Sequence, residues 1–299
     1  MMGCASRQRK KEHTMRVAVA SGKGGTGKTT IASALGRVAA QRGLDAVYVD
    51  CDVEAPNGHL LLQPTIESRH PVTRLIPVVD EALCDHCGEC QKACQFGAIV
   101  SLPRTVQVYA KLCKSCGACV AACPKKAIGE QRSVVGRVET GRSGDLRFVQ
   151  GVLDVGQPRS IPVIEAAKAG APDEADLAVF DAPPGASCPM VATVGDADLV
   201  LLVSEATPFG RADLEIAAET VQTLGLPAAV VINRCDVGDE SVRELCAARG
   251  LPVLAEIPHR RAVAEAYAEG DLDGVIDGMA GALEALLDGL LDRQKRRAS

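Results

Sequence analysis

From Met15 onward, short apolar runs alternate with longer stretches of helical period. Arg16–Ala20 predicts a buried strand, the glycine-rich segment after it a loop, Lys28–Arg42 a helix and Ala46–Asp50 a second strand. The rhythm breaks near Pro77 and resumes near Leu146. Further strands are predicted at Leu177–Asp181, Leu199–Ser204, Ala228–Asn233 and Val253–Ile257, with helices over Ile161–Lys168, Arg211–Leu224 and Ser241–Arg249. A last helix runs to about Asp292. Strand and helix in this order imply an α/β fold on a parallel sheet with right-handed crossovers.

The interruption contains a repeat. Cys84, Cys87, Cys90, Cys94, Ala98 and Ile99 recur 29 residues later as Cys113, Cys116, Cys119, Cys123, Ala127 and Ile128. The chain therefore divides into one α/β domain, residues 15–77 and 133–299, split by an inserted unit over 78–132. Residues 1–14 are polar and basic without periodicity, and are expected to form a disordered arm or an over-extended start.

Composition narrows the reading. At 299 residues and 47% hydrophobic, the chain can bury a full core; aromatics are 2% and Trp is absent, so Val, Leu, Ile and Ala must fill it, as in sheets covered on both faces. A net charge of −5 with scattered basic residues supplies no field for nucleic acid, so none is expected as a partner. No run has the length of a membrane span and no secretory signal is visible, which places the expectation in the cytoplasm. Eight of the 13 cysteines crowd between Cys84 and Cys123 at metal-ligand spacing, which suits a reducing compartment and points to ligands instead of disulfides.

Gly22–Thr29 fits G-x-x-x-x-G-K-[ST] between a predicted strand and a predicted helix. In such a loop Gly22, Gly24, Gly25, Thr26 and Gly27 turn backbone amides around phosphate oxygens. Lys28 reaches the outer phosphates, Thr29 ligates Mg²⁺ and Thr30 continues into the helix. The string KGGTGKTT resembles the deviant Walker motif of the MinD, ParA, Mrp and nitrogenase iron-protein class of P-loop ATPases. CDVEAPN, DAPPGASCPM and SEATPFGRADL extend that resemblance over nearly the whole chain from Met15 to about Leu290.

The resemblance implies a homodimer that sandwiches ATP or ADP with Mg²⁺, Lys23 reaching across to the partner's phosphates. It implies that Asp52 orients the attacking water, that Asn57 is a switch asparagine, and that Asp181 holds Mg²⁺ through water. Asn233 and Asp236 would contact the base, and the backbone at Ile257–Pro258 would cover it. Asp50, with Asp52 at the strand end, resembles the same class's switch I region, the alternative being a strand-end cap.

The two cysteine runs resemble the bacterial two-cluster ferredoxin pattern, in which three cysteines of one run and the fourth of the other hold each 4Fe–4S cube. That pattern assigns Cys84, Cys87, Cys90 and Cys123 to one cluster, and Cys113, Cys116, Cys119 and Cys94 to the other. Zinc sites space their ligands differently. Gln95 stands where the pattern has Pro. Cys188, seven residues after Asp181, reads as a small packed thiol, the alternative being a ligand to a cluster bridging the dimer as in the nitrogenase iron protein. Cys51, Cys235 and Cys246 read as core thiols.

The expected whole is a deviant-Walker P-loop ATPase with an inserted α+β ferredoxin-like unit. ATP binding would close the dimer, reorient the insertion and gate electron delivery to a protein acceptor or from a donor. The competing readings are a carrier that delivers a metallocluster to a client protein, and a spatial-organisation ATPase with clusters as a redox sensor. The final helix fits a packed helix with a solvated basic tail better than a membrane anchor.

Overall fold

The computed structural model describes residues 14–298, so the expectation for the first 13 residues lies outside it. Thr14 belongs to the fold: it is buried and its Oγ1 donates to the Asp173 carbonyl at 2.5 Å.

Eleven strands form among the described residues: β1 (Met15–Ala20), β2 (Ala46–Asp50), β3 (Thr65–Val79), β4 (Ile99–Leu102), β5 (Thr105–Val108), β6 (Ile128–Ser143), β7 (Leu146–Leu153), β8 (Leu177–Asp181), β9 (Leu199–Glu205), β10 (Ala228–Asn233) and β11 (Val253–Ile257). Nine of them make one sheet in the order β11-β10-β9-β1-β8-β2-β7-β6-β3. Among them only β6 runs against its neighbours, so the expected parallel sheet is corrected to a mixed one with an antiparallel margin. Its central strands are Val, Leu and Ala runs, buried on both faces as parallel strands must be.

The helices are α1 (Lys28–Gln41), α2 (Gly58–Leu62), α3 (Glu89–Ala93), α4 (Ala118–Ala122), α5 (Ile161–Ala169), α6 (Cys188–Val194), α7 (Pro208–Thr223), α8 (Ser241–Arg249), α9 (Arg261–Glu269) and α10 (Leu272–Ala298). One apolar core places α1 and α10 on one face of the sheet, with Ile31, Leu35, Leu283 and Leu287 against Val17, Tyr48 and Val179. A second places α5–α8 on the other, with Ile164, Met190, Leu214 and Leu245 against Ala18, Phe180 and Val230. α7 starts three residues before its predicted position, at Pro208, where Thr207 caps it by accepting from the Gly210 amide at 3.0 Å. The single last helix expected from the sequence is instead two, broken at Gly270 (φ +73°), and the second reaches Ala298. Among the described residues no helix is long and apolar enough to cross a membrane.

β3 and β6 were not foreseen. They pair over almost their full length, from Thr65↔Arg142 to Val79↔Ile128. The half nearest β7 belongs to the main sheet; pairing with β7 stops at Gly136↔Leu153, and there Val135 is skipped between the pairs Val72↔Gly136 and Thr73↔Val134. This extra residue makes a β-bulge, which bends the ladder. Val135 turns into the core, and its carbonyl accepts from the Asp154 amide at 3.0 Å. Beyond the bulge the ladder runs on as a two-stranded arm carrying the segment 80–127. At its root the Glu139 carboxylate accepts from Arg69 Nε (2.9 Å), Arg137 Nε (2.8 Å) and Gln150 Nε2 (2.6 Å). Burial alone would raise this carboxyl, but those donors outweigh it and hold it at about 2.

The carried segment has a pseudo-twofold. His86, Gly88 and Gly97 take positive φ, and so do Ser115, Gly117 and Lys126, each 29 positions on. Asp80 N donates to Ala127 O at 2.7 Å and Tyr109 N to Ala98 O at 2.8 Å, so each half is stitched to the other. Its buried hydrophobic cluster is small, Ile99, Val106 and Ile128 with Cys90, and the rest of the interior is largely thiol.

Candidate functional site

β1 ends at Ala20 and the chain loops into α1 through left-handed backbone at Gly25 (φ +79°) and Gly27 (φ +93°). The first amides of α1 have no intrahelical acceptor and form an anion-seeking end. Asn233, at the end of β10, donates Nδ2 to the Thr26 carbonyl at 2.9 Å and steadies the loop from behind. A Cβ on Gly27 would stand 2.5 Å from that Nδ2, so the position needs glycine for space as well as for φ.

The loop opens on a cleft of about 380 Å³. Gly24, Gly25, Gly27, Lys28, Thr29 and Thr30 form its floor; Asp52 and Asn57 enter from the segment after β2; Asn233, Arg234 and Pro258 close the far side. The fold thus unites ten predicted residues at the carboxyl ends of β1, β2, β10 and β11, on the edge where open α/β sheets bind ligands. Gly22 lies outside the cleft, packed so closely on α7 that a Cβ would strike the Asp213 carbonyl. Thr26 is buried with its hydroxyl unpartnered. Asp236 is also outside the cleft; its Oδ1 accepts from the His259 amide at 2.6 Å, which lowers its pKa and pins the Pro258–His259 turn.

Lys23 is not among the residues lining its own cleft. Its ammonium sits 3.5 Å from Glu205 and 3.8 Å from Asp213, and Arg234 holds the other Glu205 oxygen at 2.8 Å.

Behind the cleft Asp50 and Asp181 lie side by side in the β2–β8 register, both fully buried. Asp50 is a cap: its oxygens accept from the amides of Asp52 (3.1 Å), Asn57 (3.1 Å) and Gly58 (3.0 Å) and shape the loop that presents Asp52 and Asn57. Asp181 takes a hydrogen bond from Tyr48 Oη on Oδ2 at 3.1 Å and leaves Oδ1 buried and unpartnered. Burial pushes its carboxyl up to about 6 against the pull of Lys28, of the nearby Thr29 hydroxyl and of the Tyr48 hydrogen bond. Burial also raises Asp52, again opposed by Lys28. An orphaned carboxylate oxygen with Thr29 and Lys28 close by fits Mg²⁺ carried on a phosphate chain.

Arg234, His259 and Arg260 line the cleft, as do Val263, Ala264 and Tyr267 of α9, and the sequence reading missed them. They follow no motif, and the Gly270 break that frees α9 to lie over the cleft was the one available signal.

In the carried segment, two small cavities have telling walls. One is lined by Cys84, Cys87, Cys90 and Cys123, the other by Cys94, Cys113, Cys116 and Cys119. Each thus takes three cysteines from one half and the fourth from the other. Amides of Ala98, Ser115 and Ala127 point at the sulfurs of Cys94 (3.3 Å), Cys113 (3.3 Å) and Cys123 (3.2 Å). Among the described residues no three His, Cys, Asp or Glu side chains converge as they would on one metal ion. In a cube each thiolate binds its own iron, which spreads the sulfurs.

Cys188 begins α6 and is exposed, which corrects the packed-thiol expectation. Cys51 and Cys246 are buried and Cys235 half-buried.

Loop, α1 and strand-end carboxylates define a P-loop nucleotide-binding fold. The profile of CbiA, the CobQ/CobB/MinD/ParA nucleotide binding domain, matches residues 17–272, and the chain belongs to that ATPase family. It is 33% identical over 223 residues to the uncharacterized protein MJ0578 of Methanocaldococcus jannaschii, covering 74% of this chain and 78% of that one. To MJ0579 of the same organism it is 26% identical, covering 75% and 82%. Among solved structures it is similar to the Pyrococcus furiosus cell division ATPase MinD (20% identity, TM-score 0.56, covering 95% and 99% of the two chains). The Pyrococcus horikoshii septum site-determining protein MinD with Mg-ADP is also similar (19%, 0.55, 93% and 96%). At these identities the likeness is one of fold.

Proposed function

We propose that this chain is an ATP-hydrolysing iron–sulfur protein that works as a nucleotide-dependent homodimer and passes low-potential electrons from its inserted module to a protein partner. The observation that carries the reading is the pair of cavities, each walled by four thiols contributed crosswise by the two repeats. Cys84, Cys87, Cys90 and Cys123 would hold one 4Fe–4S cluster, and Cys94, Cys113, Cys116 and Cys119 the other. When bound, the clusters supply one-electron chemistry at low potential. The amides of Ala98, Ser115 and Ala127 donate toward three of the thiolates and disperse their charge. A segment whose apolar core is this small gains most of its order from such ligation.

At the cleft, the loop amides and Lys28 bind the phosphates, Thr29 and Asp181 position Mg²⁺, and Asp52 orients water toward the outer phosphate. The Mg-ADP carried by the Pyrococcus horikoshii MinD supports the nucleotide assignment. Lys23, held by Glu205 and Asp213 outside its own cleft, supports a role across a dimer, where it would exchange those carboxylates for the partner's phosphates. The Aquifex aeolicus MinC:MinD complex offers a precedent for a protein client on this fold.

The test is anaerobic purification of the full chain, with iron, sulfide and ATPase assays on one preparation. About eight irons and eight sulfides per chain are expected, with hydrolysis lost in Lys28→Ala. Zinc in place of iron would refute the module's assignment. Clusters that are released to an apo-protein on ATP turnover, without cycling redox state, would replace electron transfer with cluster delivery.

A further inference from the structure

The two thiol cavities are built alike but charged differently. The run from Asp80 to Cys94 contains Asp80, Glu81, Asp85 and Glu89 against Lys92, whereas its counterpart from Tyr109 to Cys123 contains Lys111 and Lys114 and no acid. Lys125, at the first cavity, is 3.8 Å from Asp85 and offsets one of those acids; Glu130, at the second, offsets one lysine.

Arg74 breaks the pseudo-symmetry further. It projects from β3, is 8% exposed, and donates Nη1 to the Cys113 carbonyl and Nη2 to the Ala110 carbonyl, both at 2.7 Å. The matching carbonyls of the first half, Cys84 and Glu81, receive no side-chain donor among the described residues. Its Nε has no acceptor, and no carboxylate among the described residues pairs with it. A guanidinium this buried is costly without a counter-charge. A thiolate-ligated cluster is anionic and grows more so with each added electron, so a fixed cation beside it favours the reduced form.

We infer that Arg74 is the built-in counter-charge of the site formed by Cys94, Cys113, Cys116 and Cys119. It holds that site at the higher reduction potential of the two and so gives the module a direction. The inference rests on the iron–sulfur reading above. One electron leaves the site at Cys84, which is oxidised by one unit, and enters the site at Cys113, which is reduced by one. No bond forms or breaks and no proton moves; a low-potential one-electron carrier protein refills the first site. The receiving cavity is lined by Pro77 and Glu130, the supplying one by Val79 and Ile128 farther out along the arm, so the electron travels toward the nucleotide-binding body.

The experiment is a stepwise dithionite titration of the full-length, anaerobically loaded chain, followed by electron paramagnetic resonance. Cys87→Ser and Cys116→Ser assign the two signals. Arg74→Met should weaken the electron affinity of the Cys116 site about tenfold, ~59 mV for one electron, and leave the other signal in place; Arg74→Lys should restore most of the loss. If Arg74→Met fails to load, Lys114→Glu should shift the same signal in the same direction, and Asp85→Lys should raise the other. Wild-type protein with both clusters but with the Cys87 site at the higher potential would overturn the inference, as would charge changes that move both signals equally or neither. A chain that takes up no iron would instead refute the iron–sulfur reading on which it stands.

Discussion

Replacing Asp181 by Asn should make the empty protein more stable while crippling its use of Mg²⁺. In the fold this carboxyl is moved from 3.8 to about 6, chiefly by burial. At about 1.4 kcal/mol per pH unit, keeping it charged at pH 7 penalises the native state by about 3 kcal/mol. Because the folded value lies above the unfolded one, the penalty is absent below pH 3.8, grows as pH rises, and is complete above about pH 6. Asn retains an acceptor for Tyr48 Oη and removes the charge facing Asp50. Urea unfolding of the nucleotide-free chain, followed by circular dichroism, should show a gain approaching 3 kcal/mol at pH 7. With a slope of about 3 kcal/mol per molar, that is a midpoint shift of about 1 M. The gain should shrink to about 1 kcal/mol at pH 4.5. Calorimetric titration should show Mg²⁺-dependent nucleotide binding weakened at least about tenfold through loss of the free Oδ1. A variant less stable than the parent at pH 7, or one whose gain is the same at both pH values, would show that burial of this charge is not what shifts it.

Three further outcomes follow from the same geometry. Lys28→Ala should weaken ATP by about 2–4 kcal/mol, read by calorimetry, because a buried cation on the phosphates is lost. Gly27→Ala should cost about 1–2 kcal/mol of stability from its positive φ alone, and should also displace Asn233 and reduce nucleotide affinity, seen as a lower melting temperature and a smaller ligand-induced rise. Glu139→Gln should destabilise the root of the arm by about 2 kcal/mol at pH 7, discounting for the exposure of Arg69 and Arg137. Glu139 is held low, so its contribution is present above pH 4.5 and lost as pH falls toward about 2; the variant and the parent should converge there in acid unfolding.

The glycine loop was legible because its chemistry is local: glycines, Lys28 and Thr29 must be adjacent in sequence to be adjacent in space. The same holds for the cysteine runs, whose spacing is set by turns of a few residues. β3 was not legible, because Thr65–Val79 mixes exposed polar positions with Pro71 and Pro77, which read as breakers. Pro is tolerated there since β3 is the edge of the sheet and half its amides face away from any partner. β6 was hidden for a related reason: an arm with little core behind it has no strict alternation to display. Of the α9 wall of the cleft, the sequence carries only the Gly270 break as a trace. Tyr267 and Val263 reach the nucleotide pocket only because the chain doubles back after β11, and no local pattern encodes that contact. Cys188 was misjudged because a free cysteine is more often buried than not, whereas this one opens a helix at the surface.

The bulge at Val135 also has a mechanical meaning. The Val53 carbonyl, next to Asp52, accepts from Leu153 at 2.8 Å, and the following residue, Asp154, binds the Val135 carbonyl at 3.0 Å. Two hydrogen bonds therefore join the catalytic-side loop to the pivot of the arm. From Thr73 to Val79 the free part of β3 spans about 20 Å, so a turn of about 10° at the pivot would swing its far end by about 3.5 Å. The lever multiplies at the tip of the arm any rotation made at the bulge, and its pivot is tied by hydrogen bonds to the loop that presents Asp52.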